Sequence, residues 1–385
     1  MANSLIERHF IAAKGSYFLF GPRGTGKSTL MRYYYPDALY IDLLDPSVFR
    51  QYTARPERLE MLVQGENKKT IIIDEIQKIP TLLSVVHRLI EQKKGWQFIL
   101  TGSSARQLKR AGVDLLAGRA VIRMLHPFMA SELNEQFVLD RALEYGLVPL
   151  IMESQEVKDT LNSYIDVYLN EEVKAEGLVR NIGDFSRFLE IMSFSHGCVL
   201  NMANVARECE VSRKLVEGYL SVLQDLLLSV HLPVFSERAK RKLISRSKFY
   251  YFDAGVYRGL RSVGYLDRPS EVDGPGLEGL VLQHLRAWND YQSKPNKLYY
   301  WRTRHGVEVD FIVYGPNCFY AIEVKNAKQV YSKDMKGLKT FREDYPNAIL
   351  LLLHRGNEIL LIDGVKCLPV EKFLRQLTPG RALWS

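Results

Sequence analysis

Residues 18–31 read FLFGPRGTGKSTLM. An apolar run from Tyr17 to Phe20 meets Gly21, a short loop of small and breaking residues follows, and Gly26-Lys27-Ser28 opens a helix-like stretch. Gly21, Pro22, Arg23, Gly24, Thr25, Gly26, Lys27, Ser28 and Thr29 cover the whole pattern G-x-x-x-x-G-K-[ST] and the residue after it. Glycines let backbone N–H groups close around phosphate oxygens, and the helix N-terminus adds partial positive charge. Lys27 is placed to reach the β and γ phosphates of a nucleotide and Ser28 to ligate Mg²⁺. The pattern carries weight only between a strand and a helix, and that is the context predicted here.

Working outward, short apolar runs recur as YFLFG (17–21), ALYIDLL (38–44), TIIIDE (70–75), WQFILTG (96–102) and AVIRML (120–125). Such runs, separated by helix-length polar segments, predict the strands of a parallel sheet buried on both faces in a doubly wound α/β domain. TIIIDEIQKIP (70–80) ends its strand in Asp74-Glu75, at the carboxyl edge where ligands of open α/β sheets bind. Asp74 suits the Mg²⁺ shell and Glu75 suits orienting and deprotonating the attacking water.

The arrangement resembles the AAA-type P-loop ATPases, with ALYIDLL between the two motifs and Thr101-Gly-Ser103-Ser104 after the next strand. The resemblance implies ATP and Mg²⁺ as cofactors and a γ-phosphate sensor at Ser103 or Thr101. It also implies an arginine finger at Arg119, just before the fifth strand, acting on a neighbouring subunit of a homo-oligomer. An ordinary surface arginine is the other reading of Arg119.

Composition bounds the rest. At 385 residues, 46% apolar and 25% charged, the chain is expected to form two or three globular domains. Four scattered cysteines form no Cys-x-x-Cys pair, so a reducing, cytoplasmic setting is expected, without zinc or disulfides. The longest apolar stretch, AILLLL at 348–353, is too short to span a bilayer, and no membrane partner is expected. A formal charge of +8 favours polyanions without establishing one.

LNSYIDVYLNEEVKAEG (161–177) reads as part of a helical lid with Arg180 and Arg187 as candidate sensors. NMANVARECEVSRKLVEGYLSVLQDLLLSVHLPVF (201–235) reads as a helix, a turn capped by Ser212, a helix over 213–228 and a strand, followed by another strand at 248–252. This looks like a winged helix. Between the strands, Arg238, Lys240, Arg241, Lys242, Arg246 and Lys248 stand where a wing would contact DNA or RNA, although winged helices also serve as packing modules.

Near the end, Glu278 sits in GLEGLVLQHLRAW, Asp310 in LYYWRTRHGVEVDFIVYG, and Glu323 and Lys325 in CFYAIEVKNA. Side-chain alternation puts Glu323 and Lys325 on one strand face, with Asp310 across from them. The set resembles the core of PD-(D/E)xK nucleases. That resemblance implies Mg²⁺ on Asp310 and Glu323, Lys325 steadying water or phosphate, and Glu278 orienting the metal shell. The fold is also reused for binding without chemistry.

Over nearly its whole length the chain resembles a prokaryotic group of AAA-type ATPases fused to a C-terminal domain of unknown function. The expected architecture is a P-loop ATPase domain (1–150), a helical lid and winged-helix region (151–262), and an α/β restriction-endonuclease-like domain (263–385). Two functions follow: an ATPase whose nucleotide state controls nucleic-acid binding or cleavage, or a nucleotide-dependent switch or scaffold for protein partners with an inactive nuclease fold.

Overall fold

The computed structural model describes residues 6–103, 116–169, 181–237, 241, 246–262, 264 and 268–384. The chain divides into two compact units: Phe10–His126 with Asp225–Leu228, and Met1–His9 with Pro127–Gln224 and Ser229–Ser385. Among the described residues no helix is long and apolar enough to cross a membrane.

The first unit holds β1 (Tyr17–Phe20), β2 (Leu39–Asp42), β3 (Thr70–Asp74), β4 (Gln97–Gly102) and β5 (Val121–Met124), all within a residue or two of the runs read from sequence. They form one parallel sheet in the order β2-β3-β4-β1-β5. β4 therefore lies between the strand that feeds the glycine loop and the strand that ends in Asp74. Ile71, Ile72, Ile73, Phe98, Ile99 and Leu100 are fully buried. α1 (Lys27–Tyr34), α2 (Pro46–Ala54), α3 (Arg58–Gly65) and α4 (Leu82–Glu91) link the strands, and α4 buries Leu82, Leu83, Val86 and Leu89 in the core. Burial on both faces holds for the inner strands only. On β5, the edge strand, Val121 and Ile122 are exposed.

The second unit includes α5 (Leu139–Tyr145) and α6 (Val157–Ser163), and α6 runs into a π-helical turn at Tyr164–Leu169. Next come α7 (Ile182–Ser193), β6 (Cys198–Val199), α8 (Met202–Glu208), α9 (Arg213–Asp225), β7 (Ser229–Leu232) and β8 (Lys248–Tyr251). The three strands pair antiparallel in the order β6-β8-β7. Ser212 Oγ accepts from Leu215 N at 3.2 Å, the expected cap. The helix read as ending at 228 stops at Asp225, and the chain turns at Leu227 through φ +62°.

After α10 (Ala254–Leu260), the long α11 (Pro269–Asp290) precedes β9 (Lys297–Arg302), β10 (Glu308–Gly315), β11 (Cys318–Lys325), α12 (Lys336–Asp344), β12 (Ile349–His354), β13 (Leu360–Ile362), β14 (Val365–Pro369) and α13 (Val370–Gln376). The sheet order is β13-β14-β12-β11-β10-β9. α11 starts well before the GLEGLVLQHLRAW stretch and carries Pro275 inside it. Pro and Gly normally break such a helix. Here burial of Val272, Leu277, Leu280, Val281 and Leu285 along its length outweighs that tendency. On the opposite face of the sheet region, Trp301, Val309, Leu338, Phe341 and Leu352 form one core cluster around Phe235.

The wing reading is corrected at two positions. Arg241 is engaged by Asp344 (2.8 Å) and Glu343 (2.5 Å) on α12, and Lys248 is buried on β8, because both cations find carboxylates of the same unit. Arg246 is exposed, while Arg238, Lys240 and Lys242 lie outside the described residues.

Candidate functional site

The glycine loop is built by steric need. A Cβ on Gly21 would lie 2.3 Å from the Leu125 carbonyl oxygen, so only glycine lets β1 turn against that backbone. Gly24 (φ +79°) and Gly26 (φ +85°) occupy the left-handed region that favours glycine. Thr25 Oγ1 donates to the Pro22 carbonyl at 2.8 Å and pins the loop, while Arg23 and Thr29 face outward, exposed. Lys27 is buried, its Nζ donating to the carbonyls of Gly21 (2.8 Å) and Pro22 (3.2 Å). The ammonium thus lies folded over the loop.

Asp74 is buried at the end of β3 and accepts from Thr101 Oγ1 and the Tyr40 hydroxyl. Burial and then the Asp74 charge push the Tyr40 phenol above its ordinary value, while a hydrogen bond with Ser28 pulls it back. The Ser28 hydroxyl and the Asp74 carboxylate, both near Tyr40, are hard oxygens of the kind that suit a Mg²⁺ ion.

Glu75 follows in the left-handed region at φ +58°, a conformation that costs a non-glycine residue about 1 kcal/mol or more. Its N–H donates to Thr101 Oγ1 at 3.3 Å, and its carboxylate accepts from Gln77 Nε2. Gln77 Nε2 also donates to Ser103 Oγ at 3.1 Å, so one amide joins Glu75 to Ser103. Gln77 and Tyr40 were not singled out from sequence. Gln77 stands two residues after Glu75 in IIIDEIQKIP, where it could have been suspected. Tyr40 depends on the β2–β3 register, which pairs Tyr40 with Ile72 and so carries its hydroxyl toward Asp74. Arg119 pairs with Glu91 at the surface of the same unit. Arg187 pairs with Glu210 at 2.9 Å in the second unit, and Arg180 lies outside the described residues.

The second unit gathers the C-terminal residues. The β10–β11 register pairs Phe311 with Ile322, which sets Asp310 next across from Glu323, and Asp310 Oδ2 accepts from Val324 N at 2.8 Å. Opposite β9 the pairing shifts between Val309 and Ile312, a bulge that re-aims Asp310. Lys325 Nζ bonds Glu323 Oε1 at 2.6 Å. Lys248 was not assigned here from sequence. Its Nζ contacts Glu278 Oε1 (2.8 Å), Asp310 Oδ1 (3.4 Å) and Glu308, and Tyr250 also donates to Glu278. Arg302 bonds Glu308 at 2.9 Å.

Burial, followed by the neighbouring Asp310 carboxylate, pushes Glu278 up to about 7 against the pull of Lys248. The same two causes hold Glu323 well above the carboxylate range. Burial opposes the Lys248 charge, yet Glu278, Tyr250, Asp310 and Glu308 keep it protonated. The expected Mg²⁺ on Asp310 and Glu323 does not fit this arrangement. Ammonium groups already engage those carboxylates, and with these in place no three His, Cys, Asp or Glu side chains among the described residues are set to hold a metal ion.

Loop, strand order and acidic pair define a nucleotide-binding P-loop domain, and residues 13–134 match the model of an AAA domain. Together these support an AAA-type ATPase. Residues 136–267 and 273–373 match two further models, each described as a domain of unknown function. Uncharacterized proteins of Mycobacterium bovis and Mycobacterium tuberculosis are each 28% identical over 390 residues, covering 96% of this chain and 85% of the relative. Among solved structures, replication initiator DnaA bound to AMPPCP and single-stranded DNA matches at 13% identity and a TM-score of 0.28, over 55% of this chain and 82% of that one.

Proposed function

We propose that the chain is a Mg²⁺-dependent ATPase whose nucleotide state controls nucleic-acid binding by its second unit. The observation that carries the reading is the joined network at the ends of β3 and β4, where Asp74, Thr101, Glu75, Gln77 and Ser103 are linked beside the glycine loop. Ser28 and Asp74 hold Mg²⁺, which neutralises charge on the β and γ phosphates when bound. Lys27 leaves its loop carbonyls for the phosphates. Glu75 orients and deprotonates the attacking water, and Ser103 reports the γ-phosphate through Gln77.

The order α7-β6-α8-α9-β7-β8 supports a winged helix, and the order α11-β9-β10-β11-α12-β12 supports a nuclease-like core. These readings, with the three matched segments at 13–134, 136–267 and 273–373, support three domains in the order ATPase, helical and winged-helix, and nuclease-like. Arg213, Lys214 and Arg246 are exposed on the winged-helix region and supply phosphate contacts. The test measures ATP turnover and binding to a DNA or RNA duplex across a salt titration. Nucleic acid changes turnover, and replacing these three cations by Glu weakens binding at least tenfold and flattens its salt dependence by about two to three units of slope. Unchanged turnover and unchanged slope would remove nucleic acid from the function.

Lys248 among the acids favours the second reading, a nucleotide-dependent switch with a nuclease fold that does not cleave. A Mg²⁺ and Mn²⁺ cleavage assay separates the two. Arg119 acts on the neighbouring copy in a homo-oligomer. Mixing Arg119→Ala with Glu75→Gln subunits restores part of the turnover each has lost, and an active enzyme that stays monomeric would exclude this role.

A further inference from the structure

The acid cluster of the second unit is surrounded from several elements. β8 brings Lys248 and Tyr250, α11 brings Glu278, β10 brings Glu308 and Asp310, β11 brings Glu323 and Lys325, and β9 brings Arg302. Lys248 is 1% exposed, and its ammonium contacts three carboxylates from two elements. A compact cation bridging several carboxylates does the electrostatic work a divalent ion does in an oxygen site. Glu323 is 8% exposed, and its second oxygen, Oε2, is buried with no hydrogen-bond partner among the described residues. Glu323 stands across the β10–β11 strand pair from Asp310, one residue on from the Phe311–Ile322 pair.

We propose that Lys248 is a built-in counter-ion that closes a divalent-cation site formed by Glu278, Glu308 and Asp310, the carboxylates its ammonium contacts: the wild-type chain takes no divalent metal there, and removing the ammonium opens the site. β8 belongs to the three-stranded sheet and the acids to α11 and the six-stranded sheet, so the lysine is delivered from a neighbouring element. The inference goes beyond the ATPase reading and stands whether or not the chain binds nucleic acid.

The test counts Mn²⁺ bound to the nucleotide-free full chain from the loss of the free-ion paramagnetic resonance signal. Lys248→Met binds one Mn²⁺ per chain more than wild type, and adding Asp310→Asn to it abolishes the extra ion. Wild type and the single Asp310→Asn variant bind equally. Two results would overturn the proposal: a wild-type Mn²⁺ that Asp310→Asn removes, or a folded Lys248→Met chain with no additional ion. Should Lys248→Met melt early, millimolar Mn²⁺ raises its melting temperature by about 5 °C or more and leaves wild type unmoved. Failure of that rescue, checked also in Lys248→Gln, equally overturns it.

Discussion

Lys27→Ala abolishes tight nucleotide binding, whereas Glu75→Gln keeps binding and slows ATP hydrolysis by about 10² to 10⁴-fold, the range of a lost general base. The two residues act at different stages. In the proposed mechanism Lys27 meets phosphate charge in the ground state, and its loss leaves the glycine loop without the cation now held by its carbonyls. In the same mechanism Glu75 acts on the attacking water, and glutamine keeps its size while losing the acceptor strength needed to take a proton. The Gln77 amide can still meet a glutamine carbonyl at position 75, so the local geometry survives the change. Nucleotide titration and single-turnover hydrolysis, with circular dichroism as a check on folding, separate the two variants. Equal turnover in wild type and Glu75→Gln would take Glu75 out of the reaction, and unchanged affinity in Lys27→Ala would do the same for the loop.

Glu278→Gln flattens a pH dependence of stability that runs the opposite way from that of an ordinary ion-paired carboxylate. The folded state holds the Glu278 proton up to about 7, against an ordinary value of 4.5. The stability this proton contributes is fully present below about 4.5 and lost as the pH rises through about 7. The full swing is on the order of 3 kcal/mol. Glu323 acts in the same direction, so part of the slope remains in the variant. Histidines lowered by burial, His196 and His284 most deeply enclosed among them, oppose it. Burial lowers His196 to about 3 and His284 to about 4, so their contribution is present above 6.5 and lost as the pH falls. Comparing wild type with Glu278→Gln by denaturant unfolding at pH 5 and pH 8 cancels those histidines. The gap between the two proteins shifts by about 2 to 3 kcal/mol in favour of the variant at pH 8, since part of the swing is already spent at pH 5. A constant gap would show that Glu278 holds no proton.

The glycine loop and the strands of the first unit were legible in sequence for a local reason. Gly21, Gly24 and Gly26 answer demands of backbone geometry within a few residues, and apolar runs such as Thr70–Asp74 declare burial one residue at a time. Alternation along Cys318–Lys325 likewise put Glu323 and Lys325 together, since a strand's period is a property of the chain itself. Strand order, cross-strand register and side-chain partners required the tertiary structure. Only the packed sheet puts β4 between β1 and β3, brings Tyr40 to Asp74 and ties Ser103 to Glu75 through Gln77. Lys248 shows the limit most plainly. In a run of exposed-looking cations it reads as a phosphate contact, yet 30 residues from Glu278 and 62 from Asp310 it becomes their buried counter-ion. Periodicity records which face a residue turns to its neighbours in sequence, whereas a charge is placed by whichever distant partners can offset its removal from water.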